Sequence, residues 1–469
     1  MKWMKLAAAV AFAFAFGNAY AFHDGGVADC DGCHVMHNAS SGASVVTHGA
    51  PGVAQRSNTT NAFLLQGSDQ SSTCLICHNG PKAAFEDFRV ANLTATGPGA
   101  AGDGSQTQFN PGGDFGWLQL TQTYHPWDGA STTVQEIGER HGHNIVALDQ
   151  GLVADAAITV APGGTYAPGT GIQAFACSSC HDPHGKQRVV AGQGVPGAPV
   201  VGAAAGPYSL PIAMSGSYGD LPSAGVYAVG VYRLLGGVNY APVSNAAFPF
   251  PNPSPIAVAP SLGGAAAPFG YNQVEYNGGP TEVRVAYGTG MSEWCQNCHT
   301  NIHLDSYVSG APGLRHPAGH LAHFRQVQAD AYNSYVSSGI FTATSQYSSL
   351  VPFETGLDGT QIAALRAASS HTGVPGTGDG ATTPLFASTA ANVMCLSCHR
   401  AHASAFGSMT RWNMGYEFLT EGGVVADPLN PVNHGMDTTK RTAAYYGRDV
   451  NAGFAVYQRS MCNKCHAKD

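Results

Sequence analysis

All 12 cysteines of the chain fall in six Cys-x-x-Cys-His pentapeptides, with none left over. The six are Cys30–Cys33–His34, Cys74–Cys77–His78, Cys177–Cys180–His181, Cys295–Cys298–His299, Cys395–Cys398–His399 and Cys462–Cys465–His466. Two thiols at this spacing, followed at once by an imidazole, read as a c-type haem attachment site. The thiols reach two vinyl groups of one porphyrin, and the adjacent histidine lies under the iron as its first axial ligand. Paired Cys-x-x-Cys groups also hold structural zinc, and cysteines of exported chains form disulfides. Zinc does not require a histidine directly after each second cysteine, and disulfides do not require a fixed spacing. Six repeats that use every cysteine therefore point to six covalently bound haem c groups.

The N-terminus fits that chemistry. Lys2 and Lys5 precede an apolar run from Leu6 to Phe16, followed by Ala19-Tyr20-Ala21. This is the pattern of a secretory signal peptide over residues 1–21, with Phe22 the first mature residue. The run is too short to span a bilayer, and no later segment reads as transmembrane. Asp29 precedes Cys30 within a haem motif, which argues against a lipid anchor there. The expected product is a secreted chain. Its formal charge of −8 offers no basic surface for nucleic acid. Only 11% of residues are charged, so little electrostatic repulsion opposes self-association.

The chain contains 60 glycines and 28 prolines, which punctuate regular structure. Val189–Gly206 and Phe248–Tyr271 read as loops. Leu321–Val336, Thr360–Ala368 and Ala452–Cys465 read as helices, and Val226–Leu235 and Glu282–Tyr287 as short strands. A chain this rich in coil cannot ordinarily bury enough apolar surface to fold; six flat apolar porphyrins change that balance. The expected fold is mostly irregular, with short helices and a few short strands, wrapped around a stacked chain of six c-type haems. First cysteines are separated by 44, 103, 118, 100 and 67 residues, too unevenly for a repeat array. Residues 22–469 are read as one domain.

Six proximal histidines leave 14 of the 20, and six bis-histidine haems need six more. Spacing singles out His37, His184 and His402, each three residues after a motif histidine, and His303, four after His299. If the motif helix continues, residues three or four apart share a face. The motif histidine already occupies that side of its own iron, so the later one is expected to ligate a neighbouring haem. The second and sixth motifs have no such follower. Other distal ligands are expected from His143, His316, His371 or His23. His48, His125, His141, His320, His323 and His434 read as surface or structural histidines, the commoner fate of a lone histidine.

The runs Gly112–Trp117, Gly142–Ala147, Arg284–His303, Leu314–Gly319, Cys395–Ala403 and Cys462–Asp469 carry a resemblance across the whole mature chain. It resembles the OmcS-like outer-surface hexahaem c-type cytochromes, which polymerise into filaments in metal-reducing bacteria. The resemblance implies a continuous haem chain, all bis-histidine, running along the filament. It also implies that His37 crosses to the next subunit and ligates the iron over His399. The loops around Gly49–Asn61 and Val189–Phe250, and the region after His371, depart from the family pattern.

The expected activity is electron transfer without bond chemistry. Partners would be further copies of the chain, other cytochromes and extracellular acceptors such as metal oxides. A multihaem reductase would need an iron with an open position, typically marked by lysine in place of a motif histidine. All six motifs here end in histidine. A monomeric periplasmic shuttle is the other alternative; it would need every distal ligand from its own chain.

Overall fold

Glycine and proline interrupt the backbone so often that its regular elements are short. The computed structural model describes residues 30–34, 39–40, 43–44, 63–80, 89–93, 109–124, 134–183, 235–258, 285–301, 316–335, 347–358, 361, 364–365, 368, 385–425, 436, 438–448 and 454–466. The leader expected at 1–21 and the loop expected at 189–206 lie outside them.

Among the described residues the α-helices include α1 (Cys30–Cys33), α2 (Gln70–His78), α3 (Met291–Cys295), α4 (Gln326–Ser334), α5 (Cys395–Cys398) and α6 (Thr438–Ala444). Four of these carry haem motifs. The other two motifs form single 3-10 turns, Cys177–Ser179 and Met461–Lys464. Among the described residues strands pair as two-stranded antiparallel ribbons: β1 (Ala39–Ser40) with β2 (Ala43–Ser44), β3 (Gln122–Tyr124) with β4 (Val134–Glu136), β5 (Ala257–Val258) with β6 (Ala286–Tyr287), and β7 (Thr420–Glu421) with β8 (Val424–Val425). Single bridges supply much of the remaining order, such as Gly113 and Gly142 on Ala403 and His323 on Asn392.

Helix α2 starts where Asp69, in extended backbone, accepts the N–H of Ser72 at 2.8 Å. A side-chain oxygen there satisfies one of the orphan donors of the first turn. Helix α4 buries Ala329 and Tyr332, three apart on one face. Lys464 reaches it from the sixth motif: its Nζ donates to the carbonyl of Tyr332 at 2.8 Å and lies 4.2 Å from the centre of that ring.

Two helix expectations change. Leu321–Val336 shortens to Gln326–Ser334, because Phe324 donates its N–H to Ala391 and His323 bridges Asn392, drawing 323–324 out as extended chain. Ala452–Cys465 is not a helix over its described part. Leu419 donates to the carbonyl of Gln458, Ser460 donates to that of Glu417, and Phe418 bridges Arg459. Only Met461–Lys464 then turns. Within Thr360–Ala368, positions 364–365 and 368 are helical. Of Glu282–Tyr287, residues 285–287 are described; the last two form a strand and pair with Ala257–Val258 inside a stretch expected to be loop. Of Val226–Leu235, only Leu235 is described, bridged to His181.

The buried side chains form aromatic-rich clusters with the motif cysteines at their rims. One includes Trp117, Tyr332, Phe353, Trp412 and Met461, with Cys177, Cys398, Cys462 and Cys465 packed against it. A second holds Phe250, Tyr287 and Trp294, with Cys180, Cys295 and Cys298 at its edge. Among the described residues no helix is long and apolar enough to cross a membrane.

Candidate haem-iron sites

The second motif closes the nine-residue helix α2, and each of the others is built on a single short turn. The N–H of His181, His299, His399 and His466 donates to the carbonyl of the first cysteine of its own motif, at 2.9–3.1 Å. The turn places both cysteines on one side and the histidine at its exit. There the helix stops: Asn79 and His399 have extended backbone. His402, three residues after His399, therefore does not share its motif's helical face, and for it the expectation of a shared face is corrected. What directs His402 is a pair of bridges from Gly113 and Gly142 onto Ala403.

The imidazoles have a common support. Nδ1 of His34, His299 and His399 lies 2.8 Å from the carbonyls of Phe63, Pro162 and Ser408. Nδ1 of His143 lies 2.6 Å from Ala401 O, that of His316 2.8 Å from Pro317 O, and that of His402 3.2 Å from Gly113 O. A carbonyl only accepts, so Nδ1 carries the proton and Nε2 keeps its lone pair. That is the outer-sphere arrangement of a metal-ligating histidine.

Three motif histidines face a second imidazole across a gap. Ring centres are 6.4 Å apart for His181 and His402, 6.1 Å for His143 and His299, and 6.0 Å for His316 and His466. A metal–imidazole bond is about 2 Å, and the ring centre lies about 1.2 Å behind the nitrogen, so two imidazoles across one metal have centres about 6.3 Å apart. Each gap is the width of one metal ion. Burial, reinforced by the facing histidine, holds His143 down at about 4 and His402 at about 3, so both are neutral donors at pH 7. His143 also donates its N–H to the carbonyl of His402 at 2.9 Å. The partners of two motif histidines are thus tied by one backbone hydrogen bond.

Two glycines permit this approach. A Cβ on Gly112 would stand 2.6 Å from Nδ1 of His402, and one on Gly142 would stand 2.4 Å from the His402 carbonyl.

Burial pushes Cys298, Cys398 and Cys465 up to about 12 and raises Cys180 as well, whereas Cys177 and Cys395 are lowered by their neighbours Cys74 and Cys295. Among the described residues no three metal-binding side chains cluster. Sulfurs at core rims and imidazoles facing in pairs fit porphyrins that fill the space between.

Of the expected distal histidines, His143, His316 and His402 each face a motif histidine. His37, His184, His303, His371 and His23 lie outside the described residues, as do His48, His125 and His434; the side chain of Cys30 does too. Nδ1 of His141 lies 3.1 Å from Ser404 O, and His320 pairs with Glu293 at 2.8 Å. Sequence reasoning missed Asp69, Glu354, Ser71 and Ser292, all buried beside the motifs. The one available signal was a serine three positions before the first cysteine of motifs two and four.

No family model matches the chain. It is 43% identical to the C-type cytochrome OmcS of Geobacter sulfurreducens over 484 residues, spanning 100% of this chain and 99% of that protein. Two solved structures of similar proteins are the OmcS nanowires of Geobacter sulfurreducens, determined by cryo-electron microscopy (TM-score 0.71), and the outer membrane cytochrome S filament from the same organism (TM-score 0.70). Each is 41% identical, matching 95% of this chain and 100% of the other.

Proposed function

The chain belongs to the OmcS family of c-type cytochromes, and from that premise we propose that it carries electrons outside the cell through six haem c groups, assembled head-to-tail with copies of itself into a conducting filament. It is secreted to the outer surface on this reading and is not an enzyme. The observation that carries the reading is the set of three imidazole pairs at one-metal separation.

The residues divide the work. The cysteine pairs hold each porphyrin by thioethers. His34, His78, His181, His299, His399 and His466 are the proximal ligands. His402 completes the pair over His181, His143 that over His299, and His316 that over His466. His402, from the fifth motif, thereby serves the third, two motifs back. The family resemblance sends His37 of the first motif two motifs back as well, to the iron over His399 in a neighbouring subunit. The same skip assigns His184 to the iron over His34 and His303 to the iron over His78. All six pairs are then complete, leaving His371 and His23 in reserve.

When bound, haem supplies a one-electron couple at iron. The chain's part would be to supply two imidazoles to each iron, which would leave no position for a small oxyanion to bind. Carbonyls on Nδ1 of His34, His143, His299, His316, His399 and His402 would keep those rings from turning when charge on the iron changes. The expected electron donors and acceptors are other cytochromes and insoluble oxidants such as metal oxides, reached at the filament surface.

Negative-stain electron microscopy of purified holoprotein tests the assembly. Thin filaments support it; discrete particles across salt and pH would leave a monomeric shuttle. A pyridine haemochrome assay should count six haems, and electron paramagnetic resonance should show low-spin iron throughout. A high-spin fraction in native protein would instead indicate an open site and a reductase.

A further inference from the structure

Two places in the molecule are built alike. In the first, helix α2 meets the turn at Cys177. Ser71, three residues before Cys74 and fully buried, accepts the N–H of Cys177 at 3.1 Å. In the second, helix α3 meets helix α5. Ser292, three residues before Cys295 and also fully buried, accepts the N–H of Cys395 at 3.1 Å. In both, the first cysteines of the two motifs are neighbours, Cys74 with Cys177 and Cys295 with Cys395.

The likeness extends further. Ser179, the residue before the second cysteine of motif three, accepts the N–H of Ala176 at 2.9 Å; Ser397 accepts that of Met394 at 3.0 Å in motif five. Helices α2 and α3 both open on a buried acid, Asp69 bonded to Ser72 N and Glu354 bonded to Met291 N, both at 2.8 Å. Cys177 and Cys395 each open a helical turn, so their N–H groups have no partner within that turn. In both cases the missing cap comes from a serine of the preceding motif, so one motif begins against the flank of another.

We propose that Ser71 and Ser292 are positioning residues for electron transfer: each holds the cysteine edges of two successive haems together, motif two on three and motif four on five, so that electrons cross at the paired sulfurs. The proposal rests on haem attachment as read above. With thioethers formed, each sulfur is bonded to its porphyrin edge, and a sulfur–sulfur contact is a short route between two macrocycles. Tunnelling falls steeply with edge separation, so a hydroxyl that fixes this contact controls the rate. No atom is transferred: one electron leaves the first iron and arrives at the second. Motif six has Arg459, and motif one Val27, at the equivalent places, so the device belongs to these two junctions.

The test uses holoprotein carrying Ser71→Ala, Ser292→Ala or both, with Ser71→Thr and Ser292→Thr as hydroxyl-retaining counterparts. Haem count, low-spin resonance signals, midpoint potentials and film conductance are measured on each. The expected result is six low-spin haems with unchanged potentials. Conductance should fall severalfold for either alanine, further for both, and recover with threonine. Wild-type conductance in the double alanine variant, with six haems present, would overturn the proposal. A haem count below six in the alanine variants would also overturn it, assigning the serines to attachment. If wild-type protein itself lacked six haems, the functional reading would fail before this test began.

Discussion

At the scale of single residues, Glu354 has the clearest titration behaviour. Burial pushes its carboxyl up to about 8, against hydrogen bonds from Asn392 and Met291 that favour the charged form. An unfolded glutamate releases its proton near about 4.3. Between these values the folded protein holds a proton that the unfolded chain does not. Stability contributed here is therefore full at low pH and declines as pH rises through that window, by up to about 1.4 kcal/mol per pH unit, and is flat above it. Melting temperatures of holoprotein from pH 5 to 9 should show the decline, and Glu354→Gln should flatten it. An unaltered slope in that variant would place the titration elsewhere. The axial histidines give a second prediction. His402→Ala removes one imidazole opposite His181 and should convert one haem of six to high spin by electron paramagnetic resonance. A fully low-spin spectrum would show that another group ligates that iron.

Single elements are short, and their ends matter more than their lengths. Asp69 satisfies three donors: Ser72 N, Ser72 Oγ and Leu148 N, each at 2.8 Å. Asp69→Ala removes the cap of α2 and leaves buried donors open, for an expected loss of about 2 kcal/mol in urea unfolding of the holoprotein. A change below about 0.5 kcal/mol would mean that the helix is held by its haem alone. Gly142 offers a sharper geometric test. A methyl there would displace His402 and, through the shared hydrogen bond, His143. Gly142→Ala should perturb two low-spin signals together, those of the third and fourth haems. Disturbance of only one would show that the two ligands move independently. The misread helix at 452–465 teaches the same lesson. Its apolar spacing suits a helix, yet Gln458 and Ser460 exchange hydrogen bonds with 417–420, and non-local partners outweigh a weak local propensity.

For the whole molecule, the question is whether one chain supplies all its own ligands. In the filament reading His37 serves a neighbour, so His37→Ala should abolish or shorten filaments under the electron microscope and leave one haem per subunit without its native ligand. Unchanged filaments would refute the crossing. What the sequence by itself determined is the haem chemistry, because attachment is local: two thiols and an imidazole within five residues suffice, and neither folding nor neighbours alter that. Coil content and the surplus of histidine were legible for a similar reason, being sums over composition. Only the tertiary structure decided which imidazoles face each other. His402 meets His181 and His143 meets His299 because bridges to Ala403 and buried glycines bring distant segments together. The two serine-capped junctions were likewise invisible in the uneven motif spacing. A hydrogen bond between residues more than a hundred positions apart leaves no periodic mark in the chain; it exists only once both ends are packed into the same core.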